Sequence, residues 1–204
     1  MEIWGITGII GSGKSSAIKY LKDQGFPCID ADEVSRIVVD KNRPEGQVGF
    51  EKIYRAFGAE VLDNLGNLDR GKLRRRMMLR PNDRDTLEQI LHPLIIEYIK
   101  KQLTEWKSKD LSDIVFIEGS RLVESGMHRS FTGLVVVTAP EAQILKRVMA
   151  RDTMGKDEVK MMLSLQDPRG MESVATKVWK NAGPLSELHS QIEAFLDERL
   201  GSSS

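Results

Sequence analysis

The sequence predicts an α/β fold, in which a parallel sheet carries helices on both faces and a helical insertion interrupts the core. The first observation is that residues 3–7 form a short apolar run typical of a buried strand. The second is that residues 15–24 have helical spacing and stop at Gly25, after which residues 26–29 indicate another strand. Strand, helix and strand within about thirty residues make a βαβ unit, whose strands run parallel.

The rest of the chain continues this alternation. Residues 33–109 indicate a helical middle, which Pro44, the turn at residues 64–67 and Pro81 divide. After it, the pattern predicts buried strands at 113–117 and 133–138, a helix from 140 to about 151, a short strand at 177–179 and an amphipathic helix at 185–200.

Composition limits the classes of partner. The 204 residues hold 30 Lys plus Arg and 30 Asp plus Glu, so the net charge indicates neither nucleic acid nor a membrane as partner. A single cysteine, Cys28, excludes an internal disulfide, and we expect it to be a small buried residue in a reducing cytoplasm. The amino terminus lacks the basic region of a signal peptide, and no segment has the ~18 apolar residues of a membrane helix.

Residues 8–15, GIIGSGKS, match the pattern G-x-x-x-x-G-K-[ST] between a strand and a helix. Glycines let backbone N–H groups curl around phosphate oxygens, and the helix amino terminus favours anions. The motif therefore predicts a site for a nucleoside triphosphate with Mg²⁺, with Lys14 on the β- and γ-phosphates and the Ser15 hydroxyl on Mg²⁺. The predicted nucleotide-binding residues of this loop are Gly11, Ser12, Gly13, Lys14, Ser15 and Ser16.

Carboxylates follow two of the predicted strands. Asp30 and Asp32 come after the second strand, beside the loop if the first two strands are neighbours, where a carboxylate accepts a hydroxyl proton. The alternative is that Asp30 caps a turn and Asp32 caps a helix beginning at Glu33. Glu118 ends a later apolar strand, where a contact to Mg²⁺ through water is usual, or it is simply a polar strand end.

Several basic residues have two interpretations each. Arg147 and Arg151 are four residues apart near a helix end, where they either neutralise charge on the transferred phosphoryl group or remain solvated. The run at residues 74–76 is either a solvated basic face or a contact to an anionic substrate. His92 is either a buried hydrogen-bonding residue or a substrate contact.

Several segments together resemble the dephospho-coenzyme A kinases. GITGIIGSGKSS followed by GFPCIDADEVSRIVV resembles the start of that family. The similarity continues in FGAEVLDNLGNLDRGKLRRR at residues 57–76, LEQILHPLI at 87–95, VESGM at 123–127 and RVMARD at 147–152. It extends, with gaps, to about Asn181.

The resemblance implies a P-loop kinase with a three-layer α/β/α core, a helical substrate-binding insertion and a lid. It implies phosphorylation of the ribose 3′-hydroxyl of dephospho-coenzyme A by MgATP, giving coenzyme A and ADP, in the cytoplasm and by a monomer or weak homo-oligomer. We expect one kinase domain over residues 1–200. Its parts are a core at about 1–40 and 110–200, the insertion at about 41–109 and the lid at about 148–172, followed by a flexible tail at 201–204.

The resemblance also assigns roles to residues. Asp32 becomes the base-like carboxylate, with Lys14 and Arg147 as the other catalytic residues. Arg151 and Asn181 join the nucleotide-binding residues, and Ser15 with Glu118 serve Mg²⁺. The resemblance places Arg76 and His92 against the coenzyme A moiety. We add Arg121 as a substrate-binding residue for its charge, since an added cation suits a substrate phosphate.

The chain departs from the family pattern in places. An Asp-x-Pro-Leu-Leu segment is replaced by EGSRL at residues 118–122, which adds the charge of Arg121, and a loop glycine is replaced by Ile9. An aspartate near the end is replaced by Thr176, and the spacing from Gln143 to Arg147 is one residue longer. These changes leave two alternatives: a related nucleoside or nucleotide kinase, and a catalytically impaired ATP-binding homologue.

Overall fold

The computed structural model describes residues 1–152 and 155–201. The chain divides into two compact units, Met1–Ile29 with Leu111–Ser204, and Asp30–Asp110. The strands are β1 (Glu2–Thr7), β2 (Cys28–Asp30), β3 (Ile114–Glu118), β4 (Gly133–Thr138) and β5 (Lys177–Lys180). The helices are α1 (Lys14–Asp23), α2 (Ala31–Ile37), α3 (Gln47–Phe57), α4 (Arg70–Leu79), α5 (Pro81–Ser108), α6 (Glu141–Asp152), α7 (Lys156–Ser164), α8 (Pro168–Ser173) and α9 (Leu185–Gly201).

The strands form one sheet in the order β2-β3-β1-β4-β5. β1 pairs in parallel with β3 and with β4, and β4 pairs in parallel with β5. The carboxyl ends of parallel strands share one edge of a sheet, so Thr7, Glu118 and Thr138 end their strands on the same side. The predicted α/β fold with a parallel sheet is confirmed.

Aromatic side chains form the centre of the first unit. The Trp4 and Phe195 rings meet edge to face with centroids 4.7 Å apart, and Trp179 meets Phe195 in the same way at 5.6 Å. All three side chains are buried, together with apolar residues of α1 and α9 such as Leu21 and Leu188. This core fixes β1 against α1, which are the two elements that flank the glycine-rich loop.

The second unit is helical and its turns are capped by aspartates. Asp30 begins α2 by accepting hydrogen bonds from the backbone N–H groups of Asp32 at 2.8 Å and Glu33 at 3.0 Å. Asp69 begins α4 by accepting from the N–H of Lys72 at 2.9 Å. The carboxylate of Asp63 holds the predicted turn. Hydrogen bonds that Asn67 donates to this carboxylate lower the pKa of Asp63. Side-chain oxygens thus satisfy N–H groups that helix and turn starts leave without partners.

The sequence left the pairing of the first two strands open, and the structure shows that they are not neighbours, because β3 lies between β1 and β2. Asp32 does not cap a helix beginning at Glu33, because α2 already begins at Ala31 and Asp30 is its cap. Of the expected tail, Gly201 is the last residue of α9, and residues 202–204 lie outside the described residues, as do 153 and 154 of the expected lid.

No helix in the described part of the chain is long and apolar enough to cross a membrane. Within residues 1–152 and 155–201, no group of three or more His, Cys, Asp and Glu side chains is placed to hold a metal ion.

Candidate nucleotide and substrate sites

The loop between β1 and α1 is curled back on itself. Its backbone is closed by a hydrogen bond from the N–H of Ser12 to the carbonyl of Ile9 at 3.2 Å. The N–H groups of Ser16 and Ala17 both donate to the carbonyl of Gly13, at 3.0 and 3.1 Å, which starts α1 directly behind the loop. The amino terminus of α1 therefore follows the loop immediately, where backbone N–H groups and the helix dipole favour an anion.

Two of the loop glycines are required by their surroundings. Gly8 has a φ of 148°, and a Cβ there would collide with the carbonyl oxygen of Val137 on β4. Gly13 has a φ of 107°, and a Cβ there would collide with the side-chain amide of Asn181. Since L-residues rarely adopt such angles, only glycine permits both the curl and these close approaches.

Lys14 and the serines occupy different environments in the loop. Lys14 Nζ lies over the loop and donates to the carbonyl of Gly8 at 2.5 Å and to that of Ile9 at 3.3 Å. Ser15 is exposed in the first turn of α1, whereas Ser12 is fully buried. The Ser12 hydroxyl has no hydrogen-bond partner in the described part of the chain. The ammonium group is thus held at the loop, and the Ser15 hydroxyl is accessible to a ligand.

Arg147 and Asn181 form a brace behind the loop. The buried Asn181 side chain donates through Nδ2 to the Ser12 carbonyl at 2.9 Å. Arg147 donates to both oxygens of Asn181, at 3.1 Å to the backbone carbonyl and 3.3 Å to Oδ1, and to the Gly11 carbonyl at 3.4 Å. Gln143 Oε1 accepts a further bond from Arg147 at 2.9 Å. These bonds satisfy the carbonyls of Gly11 and Ser12, so Arg147 and Asn181 hold the loop from its carbonyl side.

Arg151 differs from Arg147 although both lie on α6. Its guanidinium forms two hydrogen bonds of 2.7 Å with the carboxylate of Asp152 and stays 60% exposed. That pairing raises the pKa of Arg151 and lowers the pKa of Asp152. In this structure Arg151 therefore matches the alternative of a solvated helix-end charge, and its predicted role toward nucleotide stays a prediction.

Glu118 ends β3 at the edge where β1 runs into the loop. In the β1–β3 register Glu118 lies opposite Ile6, and the N–H of Gly119 donates to the Ile6 carbonyl at 3.2 Å. Ile6 is two residues before Gly8, so Glu118 lies one strand away from the start of the loop. Arg121 follows in the turn after β3 and is exposed.

The second unit contains a cavity of about 960 Å³. Its apolar side chains are Val39, Ile53, Leu68, Leu73, Met77, Leu87 and Leu91. Its cationic side chains are Arg36, Lys41, Arg70 and Arg74, of which the three arginines are exposed. Partial burial and the nearby charge of Arg36 lower the pKa of Arg70, while the Asp32 carboxylate raises it. The cavity thus combines four cationic side chains and one carboxylate, that of Asp40, with an apolar wall.

Asp32 lies on the same helix as two residues of this cavity. It is exposed in the first turn of α2, and Ser35 and Arg36, three and four residues later, line the cavity. Residues at this spacing share one face of a helix. Asp32 therefore points to the side of α2 on which the cavity opens.

Arg76 and His92 lie elsewhere in the second unit. Arg76 forms ion pairs with Asp83 at 2.5 Å and Glu60 at 2.8 Å, and donates to the Phe57 carbonyl at 3.1 Å. His92 is partly buried on α5. Neither is among the described residues that line the cavity, so their substrate contacts stay predictions.

Sequence reasoning did not single out Arg36 and Arg70, and it named Arg74 only within a run of three arginines. The spacing of these arginines along their helices was a signal that could have identified them. Arg70 and Arg74 are four residues apart on α4, and Arg36 is four residues after Asp32 on α2. That these faces line one cavity is a tertiary fact, which the spacing within each helix does not contain.

A parallel sheet with a G-x-x-x-x-G-K-S loop at the end of β1, a lysine over that loop and an arginine brace behind it define a P-loop kinase. A family model described as dephospho-CoA kinase matches residues 2–187. The chain belongs to the dephospho-CoA kinase family.

Individual proteins match along nearly the full length. A dephospho-CoA kinase from Hydrogenovibrio crunogenus is 34% identical over 198 residues, covering 96% of this chain and 97% of the relative. A dephospho-CoA kinase from Moorella thermoacetica is 37% identical over 202 residues, covering 97% and 92%. A crystal structure from Thermus thermophilus, 31% identical, superimposes with a TM-score of 0.81 over 97% of each chain.

Proposed function

We propose that this protein transfers the γ-phosphoryl group of MgATP to the ribose 3′-hydroxyl of dephospho-coenzyme A, giving coenzyme A and ADP. The observation that carries the proposal is the cavity of the second unit, whose cationic and apolar walls suit this acceptor. It occurs in a chain of the dephospho-CoA kinase family that also has a braced phosphate loop.

The loop residues are proposed to bind the triphosphate. The backbone N–H groups of Gly13, Lys14 and Ser15 donate to phosphate oxygens. Arg147 and Asn181 hold the opposite, carbonyl side of the loop. Lys14 leaves its carbonyl partners for the β- and γ-phosphates, because a charge-assisted bond to an anion is stronger than one to a neutral carbonyl.

Ser15 and Glu118 are proposed to hold Mg²⁺ together with the nucleotide. Ser15 offers an exposed hydroxyl at the start of α1, and Glu118 a carboxylate at the end of the strand beside β1. Oxygen donors of this kind suit Mg²⁺, which keeps several waters and takes further ligands from phosphates. When bound, the ion neutralises charge on the phosphate oxygens.

The acceptor is proposed to occupy the cavity of the second unit. Dephospho-coenzyme A carries a diphosphate and a long, largely uncharged pantetheine arm. Arg36, Arg70 and Arg74 suit the diphosphate because guanidinium groups pair with phosphate oxygens, and the apolar wall suits the arm. Lysine and arginine side chains on the rim also favour the encounter with an anionic ligand.

Asp32 is proposed to act as the base-like carboxylate. The 3′-oxygen attacks the γ-phosphorus, the bond from that phosphorus to the β–γ bridging oxygen breaks, and ADP departs. The hydroxyl proton passes to the Asp32 carboxylate, which also orients the attacking oxygen. Asp30 is less suited to this role, since its Oδ1 accepts two backbone N–H groups at the start of α2.

The proposal is tested with purified protein and MgATP, offered dephospho-coenzyme A and a panel of nucleosides and nucleotides. ADP release is followed, and the product is compared with coenzyme A by chromatography and mass. We expect turnover with dephospho-coenzyme A only, and loss of ATP binding and turnover in Lys14→Ala. Turnover on a nucleotide instead, or ATP binding without turnover on any acceptor, would contradict the proposal.

A further inference from the structure

The phosphate-binding loop has a side-chain partner far along the chain. The backbone N–H of Ile10, the third residue of the motif, donates to Gln166 Oε1 at 2.9 Å in a partly buried position. An N–H group only donates, so the carboxamide oxygen must face Ile10. The carboxamide nitrogen then faces the Met162 carbonyl, at 3.5 Å.

Gln166 lies in the short connection between α7 and α8, and this connection is held at both ends. The backbone N–H of Gln166 donates to the Leu163 carbonyl at 3.1 Å, which closes the end of α7. The next residue, Asp167, accepts from the N–H of Gly170 at 2.9 Å and so caps α8. The side chain that reaches the loop is therefore carried by a fixed backbone.

Apolar contacts join the same two regions. Ile9 and Ile10 pack against a cluster in which Val148 of α6 and Val159 of α7 are buried. Position 9 is where the family resemblance expects glycine, which has no side chain for this contact. The loop thus contacts α6 and α7 through two side chains and the α7–α8 connection through one hydrogen bond.

We propose that Gln166 is a positioning residue, which holds Ile10 in the curled loop and couples ATP binding to the α7–α8 connection. The inference rests on the proposed binding of ATP by this loop. A loop that is already held loses less conformational freedom when the ligand binds. By linkage, bound ATP stabilises the Gln166 contact to the same extent.

The expected size follows from one hydrogen bond. A bond of this kind contributes on the order of 1 kcal/mol, which corresponds to about fivefold in affinity. We therefore expect Gln166→Ala to raise the Kd and KM for ATP about fivefold and to change kcat by less than about twofold.

The experiment compares wild type with Gln166→Ala, Gln166→Glu and the control Gln89→Ala, an exposed glutamine in the middle of α5. Hydrogen exchange of the peptide that contains Ile10 is measured without nucleotide, and ATP affinity by calorimetry. We expect Gln166→Ala to accelerate exchange at Ile10. Gln166→Glu restores slow exchange, because its carboxylate oxygen accepts the same bond, and Gln89→Ala behaves as wild type.

Unchanged exchange and ATP affinity in a folded Gln166→Ala variant would overturn the inference. So would failure of Gln166→Glu to restore slow exchange, or a lower kcat and Tm with unchanged KM, which indicates a merely structural role. Ile9→Ala supplies a second test, since it should weaken the protection that ATP confers on residues 155–173, and full protection would refute the coupling. Absence of turnover with dephospho-coenzyme A in wild type would contradict the proposed function alone, since exchange and ATP affinity still decide the role of Gln166.

Discussion

Replacing Asn181 by alanine is expected to weaken ATP binding by removing the brace behind the loop. Asn181 is 3% exposed and is the donor to the Ser12 carbonyl at 2.9 Å, while its Oδ1 accepts from Arg147 at 3.3 Å. The alanine leaves a buried carbonyl without this donor, which costs about 2 kcal/mol. For a chain of this length, that lowers Tm by about 4–8 °C. We expect the Kd for ATP to rise roughly tenfold or more, since the loop no longer keeps its curl.

Asn181→Asp separates the two halves of the brace. It keeps an acceptor for Arg147 but places a carboxylate oxygen against the Ser12 carbonyl, so we expect it to bind ATP no better than Asn181→Ala. Asn82→Ala, an exposed asparagine in the first turn of α5, is the matched control. Thermal melts and calorimetric titration with ATP measure the effects. Wild-type ATP affinity in a folded Asn181→Ala variant would refute the idea that the brace shapes the loop.

Asp32→Asn is expected to lower kcat about a hundredfold with ATP affinity retained, whereas Asp30→Asn costs about 1 kcal/mol of stability through its cap. Initial rates and urea melts distinguish the effect on kcat from the effect on stability. An unchanged kcat in Asp32→Asn would show that Asp32 is not a catalytic residue. Arg74→Gln should raise the KM for dephospho-coenzyme A about tenfold, and Arg75→Gln should not, because Arg74 lines the cavity and Arg75 does not. Equal effects in both variants would contradict the assignment of the cavity. Burial raises the pKa of the Cys28 thiol to about 11 from an ordinary 9.0, so its thiolate fraction at pH 8 falls about a hundredfold. Alkylation followed by mass spectrometry should therefore be about a hundredfold slower in the folded protein than in urea, and equal rates would contradict this.

The fold was largely predictable from local pattern. The apolar runs at residues 3–7, 113–117 and 133–138 correspond to β1, β3 and β4, because strands buried on both faces read as continuous apolar segments. The order of the strands was not predictable in this way, and β3 lies between β1 and β2. Strand order depends on tertiary packing, which the βαβ pattern of the first thirty residues does not contain.

The candidate sites were likewise predictable where the signal is contiguous in the sequence, and not where it depends on tertiary packing. The loop from Gly8 to Ser15 was readable because its glycines and lysine are contiguous and each has a fixed mechanical role. Arg147 was predicted as a catalytic residue and Asn181 as a nucleotide-binding residue, but their contact to the carbonyl side of the loop depends on α6 and β5 meeting behind it. Arg76 shows that a run of basic residues does not by itself identify a substrate contact, because its guanidinium forms ion pairs with the carboxylates of Glu60 and Asp83 in this structure.

The strand order has a consequence for how the chain is assembled during synthesis. β1 leaves the ribosome first, yet both strands that it pairs with, β3 and β4, begin only at Ile114 and Gly133. The unit Asp30–Asp110 is contiguous and is complete before either partner has emerged. Closing so long a stretch before β1 gains a partner delays the central sheet. We therefore expect the phosphate loop, which directly follows β1, to be among the last parts of the protein to acquire its shape.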